Sequence, residues 1–105
     1  MLSKDVKDFV RDEIARFNRE FGEERGVAYQ VRFRGDFVYC DLDEGTGDAI
    51  QTCRLKYTGD LSNWEFAIFR WSIEQYDPEA WYFPGAHFVD GSIEGALRGG
   101  YEAYR

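Results

Sequence analysis

Apolar and polar residues alternate most clearly between Gln51 and Trp71. Cys53, Leu55 and Tyr57 fall on one side of an extended chain there, with Thr52, Arg54 and Lys56 on the other. Strand side chains point to opposite faces in turn, so a slip of one residue would exchange the two faces. Beyond a turn around Thr58–Asn63, Trp64, Phe66 and Ile68 alternate with Glu65, Ala67, Phe69 and Trp71. Symmetric closure of this hairpin sets Tyr57 across from Trp64, Leu55 from Phe66 and Cys53 from Ile68. That face is apolar throughout and is the expected core face.

The same two-residue period runs through Val27–Leu42, interrupted by Gly35-Asp36. Glycine supplies the positive φ of a tight two-residue turn, which would pair Phe33 with Val38, Val31 with Cys40 and Tyr29 with Leu42. The polar loop Asp43–Asp48, closed about Thr46-Gly47, then sets Cys40 opposite Cys53 and Val38 opposite Leu55. Three turns agree on one core face, and that agreement is the main structural inference from the sequence.

A helical period replaces the strand period at both ends. Leu2, Val6, Phe9, Val10, Ile14, Phe17 and Phe21 share one stripe of a helix over Leu2–Glu24, with Ser3 as its cap, Asp5 in its first turn and Gly22 or Gly26 as its stop. Its other side alternates in sign, and Asp12 with Arg16 and Arg16 with Glu20 are the expected ion pairs of a solvated face. Ser92–Tyr104 reads as a second helix, with Ile93, Leu97, Tyr101 and Tyr104 on one stripe and Asp90 or Ser92 as caps. Gly95, Gly99 and Gly100 each cost a helix roughly 1 kcal/mol relative to Ala, which fits a backbone lying close against the sheet.

Between these elements, Tyr76-Asp77-Pro78-Glu79 and Phe83-Pro84-Gly85 are turn chemistry. Trp81, Tyr82, Phe83 and Phe88 make the stretch too aromatic for a free linker. It is expected to fold back over the last strand, hiding an edge or the outer aromatics Phe69 and Trp71. The prediction is therefore a single α+β domain over residues 1–105, a four-stranded antiparallel meander with both helices on one face. The element order is similar to that of the double-stranded-RNA-binding domain, which has three strands and strongly basic helix surfaces. Four strands and acidic ends carry no such function over.

A net charge of −7 opposes nonspecific attraction to nucleic acid or anionic membranes. The excess lies late in the chain: residues 73–105 hold two Lys or Arg against six Asp or Glu. No apolar run is long enough for a membrane span, and Met1–Val10 lacks a signal-peptide core, so a cytoplasmic setting is expected. Nine Phe, seven Tyr and three Trp favour an ordered sheet.

The registers also define a second, outer face. One row across it is Arg32, Tyr39, Arg54 and Ala67, and the next is Arg34, Phe37, Lys56 and Glu65. Arginine forks bind carboxylate or phosphate and aromatic faces stack on planar groups, so Arg32, Arg34, Phe37, Tyr39, Arg54 and Lys56 are the candidate ligand-binding residues. The same neighbours also suit an ordinary solvated face, where cation–π and stem packing need no ligand.

Other chemistry is sparse. His87, the sole histidine, follows Pro84-Gly85 and precedes Asp90, which would suit an acid/base residue but comes with no paired nucleophile. Cys40 and Cys53 read as reduced, buried apolar side chains, neither a disulfide framework nor a metal site. Asp41, Asp43, Gly45 and Asp48 miss the calcium-loop pattern, with Thr46 where glycine and Thr52 where glutamate is required. No cofactor or metal is implied. The expected function is a non-enzymatic binding or adaptor module, meeting a protein partner or its own copy through the open sheet face or Trp81–Phe88. The alternatives are a small enzyme with His87 and Asp90 or Glu94 in a pocket, and a domain that binds single-stranded nucleic acid or a small anion.

Overall fold

In a computed structural model, which describes residues 1–104, the first helix, α1 (Lys4–Phe17), starts where the sequence places its cap. The Ser3 hydroxyl accepts the Val6 N–H at 3.2 Å, and Val6, Val10, Ile14 and Phe17 are buried along one stripe. The outer side pairs differently from the expected Asp12–Arg16 and Arg16–Glu20. Arg16 reaches Glu13 at 2.8 Å, while Lys4 and Arg11 share Asp8. These pairs are solvent-exposed and add only tenths of a kcal/mol.

After Phe17 the helix changes pitch. Asn18–Gly22 forms a π-helical turn, followed by the single turn α2 (Glu23–Arg25), and Gly26 ends it at φ 69°. The cause is visible at Asn18, whose side-chain oxygen accepts the Tyr29 N–H at 2.7 Å and whose amide donates to the Tyr29 carbonyl at 3.0 Å. The wider turn brings this side chain onto the first strand, where it takes the place of a neighbouring backbone.

The strands are β1 (Ala28–Arg34), β2 (Phe37–Asp43), β3 (Ala49–Asp60), β4 (Asn63–Arg70) and β5 (Gln75–Asp77), antiparallel in the order β1-β2-β3-β4-β5. Every expected core pair is present, from Tyr29 with Leu42 through Cys40 with Cys53 to Cys53 with Ile68. Among the described residues the sheet thus has five strands rather than the expected four. The fifth is only three residues long, too short to show a period, and pairs Phe69 with Tyr76. Trp71–Glu74 turns the chain into it, with Glu74 at φ 53°.

A bulge is the other departure. The β2–β3 register shifts between Cys40 and Asp41, so Asp41 faces Gln51 and Thr52 has no partner. Thr52 was expected on the outer face with Arg54, but it turns inward beside Cys53 and both are buried. Bulges insert one residue and bend the strand in this way.

The C-terminal helix α3 (Ile93–Ala103) lies on the core side with α1. The Ser92 hydroxyl accepts the Gly95 N–H at 2.9 Å, and Ile93 and Leu97 are buried. The Tyr29 hydroxyl donates to the Leu97 carbonyl at 2.7 Å, tying α3 to β1. Of the three helix glycines only Gly100 meets the sheet: a Cβ there would stand 2.8 Å from both Thr52 Cγ2 and Tyr29 Oη. Gly95 and Gly99 instead face the loop through Gly85, Phe88, Val89 and Asp90. The core therefore lies between one sheet face and two helices, built on Val10, Val38, Leu42, Leu55, Ile93 and Leu97. Full burial of such side chains contributes about 1.5–3 kcal/mol each.

Candidate functional site

Both helices occupy one face, and the other face carries the two rows expected from the registers. Arg32, Tyr39, Arg54 and Ala67 are successive partners across β1 to β4, as are Arg34, Phe37, Lys56 and Glu65. Four cations stand there on a chain of net charge −7. All six candidate residues are thus on one surface, but they are not equivalent.

Arg32 is committed. Its Nε and Nη2 donate to the two Asp41 carboxylate oxygens at 2.6 and 3.0 Å, a forked pair, and its guanidinium lies 5.0 Å from the Tyr39 ring. The hydrogen bond to Asp41 raises the Arg32 pKa further still. Arg54 is held differently, over the Phe37 ring at 4.4 Å and the Tyr76 ring at 5.5 Å. Among the described residues no carboxylate pairs with Arg54, Arg34 or Lys56. Arg54 is therefore fixed by stacking, and its donor edge has no hydrogen-bond acceptor among the described residues.

Tyr76 organises this layer. Its ring meets Phe69 at 4.9 Å and Tyr39 at 5.3 Å, both edge-on, although β3 and β4 separate β5 from β2. Strands lie ~4.8 Å apart, so the two tyrosines meet only by leaning over the intervening row. Ala67, the short residue of that row, leaves the space and is itself 2% exposed. Gln51 donates to the Tyr76 hydroxyl at 3.3 Å, and burial raises the pKa of that hydroxyl. Sequence reasoning placed Tyr76 in a turn and so missed it, along with Asp41 and Gln51. A four-residue connection after Arg70 that sets Phe69 across from Tyr76 was the available signal.

Of the aromatic stretch, Tyr76 is the residue that lies on this surface. Strand β5 takes the edge, while Tyr76 and Trp71 pack on Phe69, which is 4% exposed. Phe83 turns to the core side and stacks on Phe66 at 5.8 Å. Beyond it the chain forms a short 3-10 turn over Ala86–Phe88.

His87 sits exposed on that turn with its ring 4.2 Å from Phe88. It ends a column in which the Arg25 and Arg98 guanidiniums lie 3.7 and 4.6 Å from the Phe21 ring, and Arg98 lies 4.4 Å from Phe88. The column joins the end of the first helix to α3. Asp90 and Glu94 line a depression of about 220 Å³ beside it with Ser92 and Arg98, and His87 is not among its lining residues. Asp90 caps the loop before α3, its Oδ1 accepting from the Ser92 N–H at 3.0 Å and hydroxyl at 2.6 Å. Those bonds lower the Asp90 pKa.

Cys40 and Cys53 are free, adjacent across β2 and β3 and fully buried. The hydrogen bond between the thiols and their burial push Cys53 well above an ordinary thiol. No cluster of three His, Cys, Asp or Glu among the described residues is placed to hold a metal ion, and no described helix is long and apolar enough to cross a membrane. No family model, curated protein or solved structure matches the chain.

Proposed function

We propose that this protein is a small non-enzymatic binding module that docks an acidic protein segment on the outer face of its sheet. The observation that carries the reading is Arg54, stacked on Phe37 and Tyr76 and without a carboxylate partner among the described residues. Lys56 stands beside it on β3 and Arg34 on the same face of β1, and neither has an ion pair among the described residues. A guanidinium already held by rings loses little further freedom on meeting a carboxylate, and the aromatic faces supply apolar contact for the rest of a chain. Arg32 shapes the surface through Asp41 rather than serving the ligand directly.

The test is a titration of the isotope-labelled protein with a capped oligo-glutamate peptide, with oligo-thymidine and inorganic phosphate in parallel. The expected result is amide and Arg54 Nε–H shifts confined to the sheet, around Arg34, Phe37, Arg54, Lys56 and Tyr76, with the peptide, lost in the Arg54→Ala, Lys56→Ala double variant. No change with the peptide overturns the reading. Stronger, steeply salt-dependent binding of oligo-thymidine would replace it with single-stranded nucleic-acid recognition.

A further inference from the structure

The edge of β4 is covered at both ends and open in the middle. At one end Trp64 donates its N–H to the Gly91 carbonyl at 2.7 Å, pointing away from β3. At the other, pairing with β5 begins only at Ile68 with Asp77. Main-chain groups alternate in direction along a strand, so the Phe66 N–H and C=O point the same way as those of Trp64. Among the described residues no ladder or loop backbone takes them. Phe66, 6% exposed, lines a depression of about 410 Å³ on this edge, within the range of ligand sites and walled by Pro78, Trp81 and Val89.

The rim of this groove has one sign of charge. Glu65 and Asp90 line it and no Lys or Arg does. Glu65 has no ion pair among the described residues, and Asp90 spends Oδ1 alone on Ser92. Trp81 is 53% exposed, leaving its ring available to a cation.

We infer that this groove is a second binding site, which takes a short basic peptide segment in extended form. One residue of the segment pairs its N–H and C=O with Phe66, completing the gap in the edge, while flanking Lys or Arg side chains meet Trp81 and the two carboxylates. This is strand addition limited to a single residue, with specificity set by the rim. The site prefers the opposite charge to the sheet's outer face, and its occupancy does not depend on Arg54.

Titration of the full chain with acetyl-Lys-Val-Lys-amide, followed by the Phe66 amide resonance and Trp81 indole fluorescence, tests the assignment. Both signals are expected to move together and saturate. The same peptide N-methylated at Val, which has no central donor, should bind about tenfold more weakly. Acetyl-Glu-Val-Glu-amide should leave both signals in place. Trp81→Ala, at an exposed position, should fold normally and bind about fivefold more weakly, and Glu65→Gln should reduce the salt dependence. Arg54→Ala should bind the basic peptide as the parent does, which separates this site from the outer face. Equal binding of the acidic peptide, indifference to N-methylation, or a silent Phe66 amide would each overturn the proposal.

Discussion

Truncating Tyr76 to alanine removes the ring on which the outer layer of the sheet is assembled. Two edge-on aromatic pairs are lost, with Phe69 at 4.9 Å and Tyr39 at 5.3 Å, and Arg54 loses one of its two stacking surfaces. Aromatic pairs contribute about 0.5–1.5 kcal/mol each beyond area burial, and a partly exposed cation–π contact about 0.5–1 kcal/mol. Together they set a cost of about 3 kcal/mol for Tyr76→Ala. Tyr76→Phe keeps the rings and gives up the hydroxyl's contacts with Gln51, at 3.3 Å, and Arg32, a cost of about 1 kcal/mol. Urea unfolding followed by tryptophan fluorescence reads both. With a slope near 2 kcal/mol per molar, the alanine variant should unfold at about 1.5 M less urea and the phenylalanine variant within about 0.5 M of the parent. An alanine variant as stable as the parent would show that β5 contributes nothing to holding Phe69. Equal losses in both variants would put the stabilisation in the hydroxyl rather than the ring.

Gly100→Ala gains about 1 kcal/mol of helix propensity but drives a methyl to 2.8 Å from Thr52 Cγ2 and Tyr29 Oη, both buried. The net expectation is a loss of about 1–2 kcal/mol, seen by calorimetry as a Tm some 5–10 °C lower, and a raised Tm would refute the close approach of α3 to the sheet. Arg32→Ala leaves the Asp41 carboxylate, only 10% exposed, without its forked partner. Chemical unfolding should show a loss of about 1–2 kcal/mol, and Arg54→Ala, which gives up two cation–π contacts of about 0.5–1 kcal/mol each, a similar loss. On the alkaline side, burial raises Tyr29 and the Cys40 hydrogen bond raises Cys53, so the folded state binds protons that the unfolded state releases near pH 10 and pH 9. Their stabilisation is complete below those values and is lost as pH rises beyond them. Stability measured against pH should fall above about pH 9, and Tyr29→Phe should flatten the portion above pH 10; a parallel fall in the variant would exclude Tyr29 as the cause.

The registers of four strands were legible because period and turn chemistry carry the same information twice. Gly35-Asp36 and Thr46-Gly47 fix closure points, and the apolar alternation accepts only one of the two faces. What escaped depends on contacts between distant parts of the chain. Thr52 turns inward because α3 passes over it at Gly100, and no local pattern announces a bulge. Asn18 occupies an ordinary polar position on the helical pattern, and its reason for widening the turn lies at Tyr29. Strand β5 has no period of its own and exists because Tyr76 finds Phe69, Tyr39 and the space above Ala67. The outer-face residues were placed correctly by register, but register gives only positions. That Arg32 is tied to Asp41 while Arg54 is stacked and unpaired follows from side-chain reach, which spacing alone does not encode.

No strand skips a neighbour, so each pairing in the sheet closes only a few residues of chain and little entropy is spent on any one of them. The Tyr29–Leu97 hydrogen bond is different, because it joins positions 68 residues apart. Hairpins of this kind form on microsecond scales, well ahead of such a distant docking step. During synthesis the strands precede α3, and until it docks Thr52 and Cys53 lack the Gly100 backbone that lies against them in the finished fold. The interval lasts seconds at ribosomal speed, long enough for a neighbouring nascent chain or a chaperone to find the uncovered face. Conditions that slow synthesis of residues 93–103 should therefore raise the insoluble fraction more than equal slowing within residues 4–17, whose helix is already in place when the sheet forms.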